Sequence, residues 1–151
     1  SGPSKRADAL FRKNGFLNHI HETDDLELVW SFEGDFSSSS GKEAFTDYNN
    51  AGLRDVAIFC GNDYSSFGFM KAAIESGYKI PDDFIIAGYD NLSFCETFTP
   101  ELTSIATDFH ELGKKSIRII ENMVAENSDS FGTISMIPVK IKIRTSSQRR
   151  R

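Results

Sequence analysis

Two apolar runs of strand length, each closed by a small polar cluster and separated by one helical segment, constrain this chain more than anything else in it. Val56-Ala57-Ile58-Phe59-Cys60 stops at Gly61-Asn62-Asp63, a helical stretch follows as far as Gly77, and Phe84-Ile85-Ile86-Ala87 stops at Gly88-Tyr89-Asp90-Asn91. Short continuous apolar runs suit strands buried on both faces, and strands joined through a helix lie parallel. In a parallel α/β sheet, ligands bind beyond the carboxyl ends of the strands, where loops aim side chains into a crevice and the sheet holds them. Asn and Asp also cap helices, so either cluster alone reads as punctuation. Their repetition at two successive strand ends points to a site for a polar ligand.

The flanking sequence extends the same alternation. Ala7, Leu10, Phe11, Leu17 and Ile20 recur at three- and four-residue spacings, which predicts a helix over 5–21, with Gly15 placed there for a close approach. Leu28-Val29-Trp30-Ser31-Phe32 reads as a strand. Ser37 to Ser40 offer caps for a helix to about Asn50, closed by Gly52. Beyond Pro100, Thr103 to Ala106 reads as a short extended piece. A long amphipathic helix over 109–125 carries Leu112, Ile119, Ile120, Met123 and Val124 on one stripe, and Ile134 to Ile143 holds one or two strands around Pro138. The expected fold is α/β, a parallel sheet flanked by helices on both faces.

At 151 residues the chain can bury one substantial core, and its apolar runs fall far short of the ~20 residues that cross a bilayer. With no basic-then-apolar leader pattern at its start, a cytoplasmic location is the expectation. The net charge is −5, and Arg149, Arg150 and Arg151 supply three positive charges at one end, leaving −8 for the body. An acidic body repels a phosphate backbone, so direct nucleic-acid binding by this chain is not expected. Cys60 and Cys95 have no nearby Cys or His pattern and read as free thiols rather than a disulfide or zinc site.

The order Ala57 to Asp63, Gly68, Gly77, Pro81-Asp82-Asp83, Gly88 to Asn91, Thr99 to Ser104 and Leu112-Gly113 resembles the effector-binding region of the lactose-repressor (LacI/GalR) family of bacterial transcription regulators. Arg12-Lys13-Asn14-Gly15-Phe16 resembles that family's Arg-x-x-Gly-Phe helix, and Gly34-Asp35-Phe36-Ser37 with Ser40-Gly41 resembles its Gly-Asp-Phe-Ser turn. The resemblance implies a type I periplasmic-binding-protein-like domain over 1–145, mostly its C-terminal lobe, with the 109–125 helix belonging to the N-terminal lobe and a basic tail over 146–151. It implies Arg12, Phe36, Asn62 and Asp90 as effector-binding residues. It also implies a homodimer through Phe67 and Met70 on one helix and Phe94 and Phe98 in the following loop. DNA would be bound only through a helix-turn-helix head, and no cofactor is implied.

Those residue types suit a sugar. A guanidinium donates two parallel hydrogen bonds, an amide both donates and accepts, a carboxylate accepts from two hydroxyls, and an aromatic face stacks on a ring. Two departures stand out: Asn91 where a second Asp is common, and Thr107 where Gln is frequent. Catalysis is disfavoured. Asp82-Asp83 and Asp24-Asp25 are adjacent pairs whose side chains diverge, Ser40-Gly41-Lys42 lacks the glycine framework of a phosphate loop, and His19 and His21 lie two apart on a helix and point in different directions. The alternative within the same fold is a sugar-binding protein of a transport system.

Overall fold

The computed structural model describes residues 1–125 and 135–149. Ile134, Arg150 and Arg151, which entered the expectations above, lie outside them. The chain opens with α1 (Ala7–His21) and α2 (Ser38–Asn50), followed by β1 (Ala57–Phe59), α3 (Asp63–Glu75), β2 (Ile85–Asp90), β3 (Thr103–Ala106), α4 (Phe109–Ala125) and β4 (Lys140–Lys142). Ser93–Glu96 and Thr145–Ser147 form single 3-10 turns.

The four strands form one sheet in the order β1-β2-β3-β4. β1 pairs parallel with β2 (Ile58 opposite Ile86), and β2 pairs parallel with β3 (Gly88 opposite Ser104). β4 runs antiparallel to β3, with Ile141 opposite Ile105, so the sheet is mixed rather than wholly parallel.

Side chains alternate across the sheet. Ile58 and Ile86 belong to the main core with Phe45, Tyr48, Phe69 and Phe84 of the α2 and α3 side. Phe59, one residue on, stacks against Phe16 of α1 with ring centroids 5.2 Å apart. Helices therefore cover both faces. The core is largely aromatic: Phe69 meets Phe45 at 5.4 Å and Phe84 at 5.6 Å, edge to face in both cases, the arrangement that ring quadrupoles favour.

α2 and α3 lie close because two glycines face the partner helix. A Cβ on Gly41 would sit 2.2 Å from the Ser65 carbonyl oxygen, and one on Gly68 would sit 1.9 Å from that of Ser38. Gly15 differs, since nothing lies within 4 Å of its missing Cβ, and the close approach expected there does not exist. Gly77 terminates α3 in the left-handed region at φ +87°, where a side chain would be strained.

Two further expectations are corrected. Leu28 to Phe32 is extended but joins no ladder. The ordered body runs past residue 145: Ser146 is fully buried, accepts from the Thr103 N–H at 2.9 Å and donates to the Ile86 carbonyl at 2.7 Å. Arg149 pairs with Asp55 and donates to the Pro81 carbonyl. Conversely, no residue of α4 is buried, and its stripe leaves Phe109, Ile120 and Val124 open. No helix among the described residues is long and apolar enough to cross a membrane.

Candidate functional site

β1 and β2 end side by side, and their carboxyl ends carry Gly61-Asn62 and Tyr89-Asp90-Asn91. Arg12 reaches this point from the middle of α1. Its guanidinium donates to the Gly61 carbonyl at 2.7 Å and to the Asp90 carboxylate at 3.3 Å. It lies 3.9 Å over the Tyr89 ring, which fixes its plane by a cation–π contact. The two bonds occupy two of the five guanidinium donors. The side chains of Arg12 and Asp90 each keep 21% exposure, so neither is sealed from solvent.

The backbone there is unusual. Asp90 (φ +111°) and Asn91 (φ +55°) are both in the left-handed half of the map, as is Phe36 (φ +72°). Residues other than glycine persist in such conformations only where surrounding bonds hold them, and such positions cluster at ligand sites. Here the holding bonds are explicit. The Asn91 N–H donates to Ser104 Oγ at 3.0 Å, and the Asn91 side-chain oxygen accepts from Arg144 at 2.7 Å. Ser104 in turn donates to the buried Asp63 carboxylate at 2.6 Å, which also accepts from the Leu92 N–H at 2.8 Å and from the Cys95 thiol at 3.1 Å.

Asn62 caps a helix in this structure. Its side-chain oxygen caps α3 by accepting from the Ser65 N–H at 3.0 Å, and its amide donates to the Phe36 carbonyl at 2.9 Å. With the residue only 7% exposed, both functional groups serve the fold, and Asn62 sets Phe36 rather than facing outward. The Phe36 ring rests on Gly2 and Gly61, where a Cβ would come within 2.1 Å and 2.8 Å of it, and the Arg6 and Arg12 guanidiniums lie 5.2 Å and 5.6 Å from its centroid.

Burial pushes the Asp90 carboxyl above its ordinary range, with Arg12 opposing the shift and Asp63 adding to it. Burial likewise raises the Cys60 thiol to about 11 and, together with Asp63, the Cys95 thiol to about 12. Neither thiol has the character of a nucleophile. Among the described residues no group of His, Cys, Asp and Glu gathers to hold a metal ion.

The residues expected at a dimer surface separate into two kinds. Phe67 packs edge to face on Phe98 at 5.0 Å and on Phe94 at 5.5 Å, and Tyr64 lies 5.4 Å from Phe94 with half its surface open. These rings form one half-buried patch. Met70 is not part of it: its side chain is wholly buried in the core and has no surface to offer a partner. Sequence reading missed Tyr89, Asp63, Ser104 and Arg144. Tyr89 and Asp63 adjoin the residues singled out, and an acid in the first turn of a helix is a usable signal. Arg144 carried none, because its partners are distant in sequence.

Residues 5–147 match the periplasmic binding protein-like domain. The chain belongs to that family. It is 32% identical over 142 residues to the HTH-type transcriptional repressor PurR of Mannheimia succiniciproducens, covering 93% of this chain and 42% of that protein. It is 31% identical over 137 residues to the NTD biosynthesis operon regulator NtdR of Bacillus subtilis, covering 90% and 42%. The chain thus spans less than half the length of these two curated relatives. Among solved structures it resembles the lac repressor dimer bound to operator and the anti-inducer ONPF (TM-score 0.89, 26% identity, 99% of this chain and 51% of that one). It also resembles a LacI family transcriptional regulator from Enterococcus faecium with bound ribose (TM-score 0.79, 26% identity, 97% and 54%). Within its family, then, this chain is an effector-binding domain of the LacI type, as its motifs imply.

Proposed function

We propose that the chain is the sensing part of a LacI-type transcriptional regulator and binds a small polar effector, of the sugar class, at Arg12 and Asp90. The observation that carries this reading is the Arg12–Asp90 pair at the ends of β1 and β2, part-exposed on both sides and flanked by the Phe36 and Tyr89 rings. A vicinal diol matches that array, donating to the free carboxylate oxygen and accepting from the remaining guanidinium hydrogens. The named relatives are regulators, which favours this role over transport and over catalysis.

In this reading a second lobe closes over the site, and the open stripe of α4 docks on that lobe. Closure shifts the population between two lobe orientations and so alters DNA binding by a head outside this chain. The patch of Phe67, Phe94 and Phe98 joins two copies. Calorimetry on the intact regulator with ribose and a panel of other pentoses and hexoses tests the ligand class. Binding of a sugar that Asp90→Ala leaves undiminished would remove this pair from the site.

A further inference from the structure

Asp90 and Asn91 are two successive non-glycine residues with positive φ, and Asp90 at +111° lies beyond even the small left-handed helical region. A turn of this kind keeps its shape only while groups outside it hold it. Two side chains do so. Ser104 on β3 takes the Asn91 N–H, and Arg144, from the segment after β4, takes the Asn91 side-chain oxygen.

Arg144 is itself a fixed arm. Its N–H donates to Thr103 Oγ1 at 2.7 Å and its carbonyl accepts from the same hydroxyl at 3.0 Å, so its root is tied to β3. One terminal guanidinium nitrogen donates to the Leu102 carbonyl at 2.7 Å, and the other donates to Asn91 at 2.7 Å and to the Glu96 carboxylate at 2.8 Å. Because the guanidinium is planar and rigid, the Leu102 and Glu96 bonds leave little freedom in where the Asn91 oxygen sits.

The charge balance explains the residue types. The Arg144 side chain is only 8% exposed, and a buried cation needs a carboxylate. Glu96, 68% exposed at the end of the Ser93–Glu96 turn, supplies it. Position 91, where an Asp is common in the lactose-repressor family, is thereby released from that task and is Asn here. A carboxylate at 91 would set a further negative charge beside Asp90, whose carboxyl is already pushed upward by burial and by Asp63.

We propose that Arg144 is a positioning residue for the effector site: through Asn91 it holds the Asp90 carboxylate where Arg12 and a bound diol meet it, with Glu96 as its counter-ion. The proposal rests on the reading of Arg12 and Asp90 as the sugar site. Among the described residues Arg144 bonds to neither of them, so it acts through the turn alone. If the released turn holds Asp90 in place about a tenth of the time, apparent affinity falls about tenfold.

The test uses Arg144→Met, which keeps the stem and removes the donors, Asn91→Gly, which suits a positive φ and removes only the acceptor, and the two combined. Amide exchange on the 151-residue chain reads the turn without any ligand. In both single variants the amides of residue 91 and Leu92 should exchange on the order of tenfold faster, with a smaller change at Met70 in the core of α3. Calorimetry on the intact regulator, with ribose and the same panel of sugars as probes, reads the site. Arg144→Met should weaken binding about tenfold alone and less than about twofold when Asn91→Gly is already present, because the connection is then already cut. Equal losses in both backgrounds, or residue 91 and Leu92 accelerating only in step with Met70, make Arg144 a purely structural residue and overturn the proposal. Where the wild-type regulator binds none of the sugars, the sugar reading fails and exchange alone decides. Protection of Leu92 kept in both single variants then overturns the positioning role, and protection lost there but kept at Met70 upholds it.

Discussion

Replacing Gly68 with Ala should destabilise this domain although it improves the local helix. Gly68 lies inside α3, where exchange of Gly for Ala ordinarily gains about 1 kcal/mol from the restricted unfolded chain and better helix propensity. The new methyl, however, would lie 1.9 Å from the Ser38 carbonyl oxygen and 2.7 Å from its carbon, both main-chain atoms of α2 that no rotamer change can move. Relief requires α2 to withdraw by roughly 1 Å, which loosens the Phe45–Phe69 contact behind it and the reciprocal approach of Gly41 to Ser65. Overpacking of this kind costs up to about 3 kcal/mol, so after the helical gain the net loss is about 2 kcal/mol. For a domain of this size that lowers the thermal midpoint by about 4–8 °C. Gly15→Ala is the matched control, with open space around it in α1, and should gain about 1 kcal/mol or 2–4 °C. Thermal unfolding followed by circular dichroism reads both. If Gly68→Ala is as stabilising as Gly15→Ala, the helices are not as close as described and the reasoning fails. Gly41→Ala with Gly68→Ala should cost less than the sum of the two, because one withdrawal relieves both contacts.

Removal of the Asp90 carboxylate should weaken effector binding in the intact regulator by about 1.5–3 kcal/mol, the worth of a charged hydrogen-bonding partner, as titration calorimetry of Asp90→Ala would show. Because the folded-state Asp90 pKa is raised, its contribution to apo stability is fully present below the ordinary carboxylate value and is lost as pH rises through the raised one. Asp90→Asn should abolish that segment of the stability–pH curve in urea titrations, and an unchanged curve would contradict the shift. Asp63→Ala strands the Leu92 N–H, Cys95 and Ser104 donors in the interior and should cost about 3 kcal/mol or more in the same assay. With thiol values near 11 and 12, Cys60 and Cys95 should resist a disulfide reagent at pH 8 until denaturant is added; rapid labelling of the folded chain would be inconsistent with their burial. Phe67→Glu should convert a dimer to a monomer by light scattering with the circular dichroism spectrum kept, whereas a wild-type chain that stays monomeric at high concentration would deny the patch that role.

What the sequence made legible was local. Helices announced themselves by spacing, α2 and α3 by Ser37 and Asn62 at their starts, and the central strands by continuous apolar runs. Leu28 to Phe32 has the same composition as a strand, but membership of a sheet is a relation between two segments, and nothing in those five residues records whether a neighbour lies within 4.8 Å. The direction of β4 was hidden for the same reason. Glycines illustrate the limit well: Gly15, Gly41 and Gly68 all lie within helices, yet only the last two face another backbone. At the site, the strand-end signal located Asp90, whereas Arg12 and Met70 came from the family resemblance; the strand-end signal could not separate outward groups from capping ones such as Asn62, and the resemblance could not show that Met70 is wholly buried.

The bond from Arg144 to Asn91 spans 53 positions of the chain. On a ribosome that adds 5–20 residues per second, Asn91 emerges roughly 3–10 seconds before Arg144, one of the two side chains that hold it in its left-handed conformation. Throughout that interval the sheet can grow only as far as β3, with the Ser146 hydroxyl not yet available to the Ile86 carbonyl and the Thr103 N–H. The Asp90–Asn91 turn therefore gains the Arg144 bond only late in synthesis, and a nascent chain stalled before residue 144 would carry a nearly complete core without that bond.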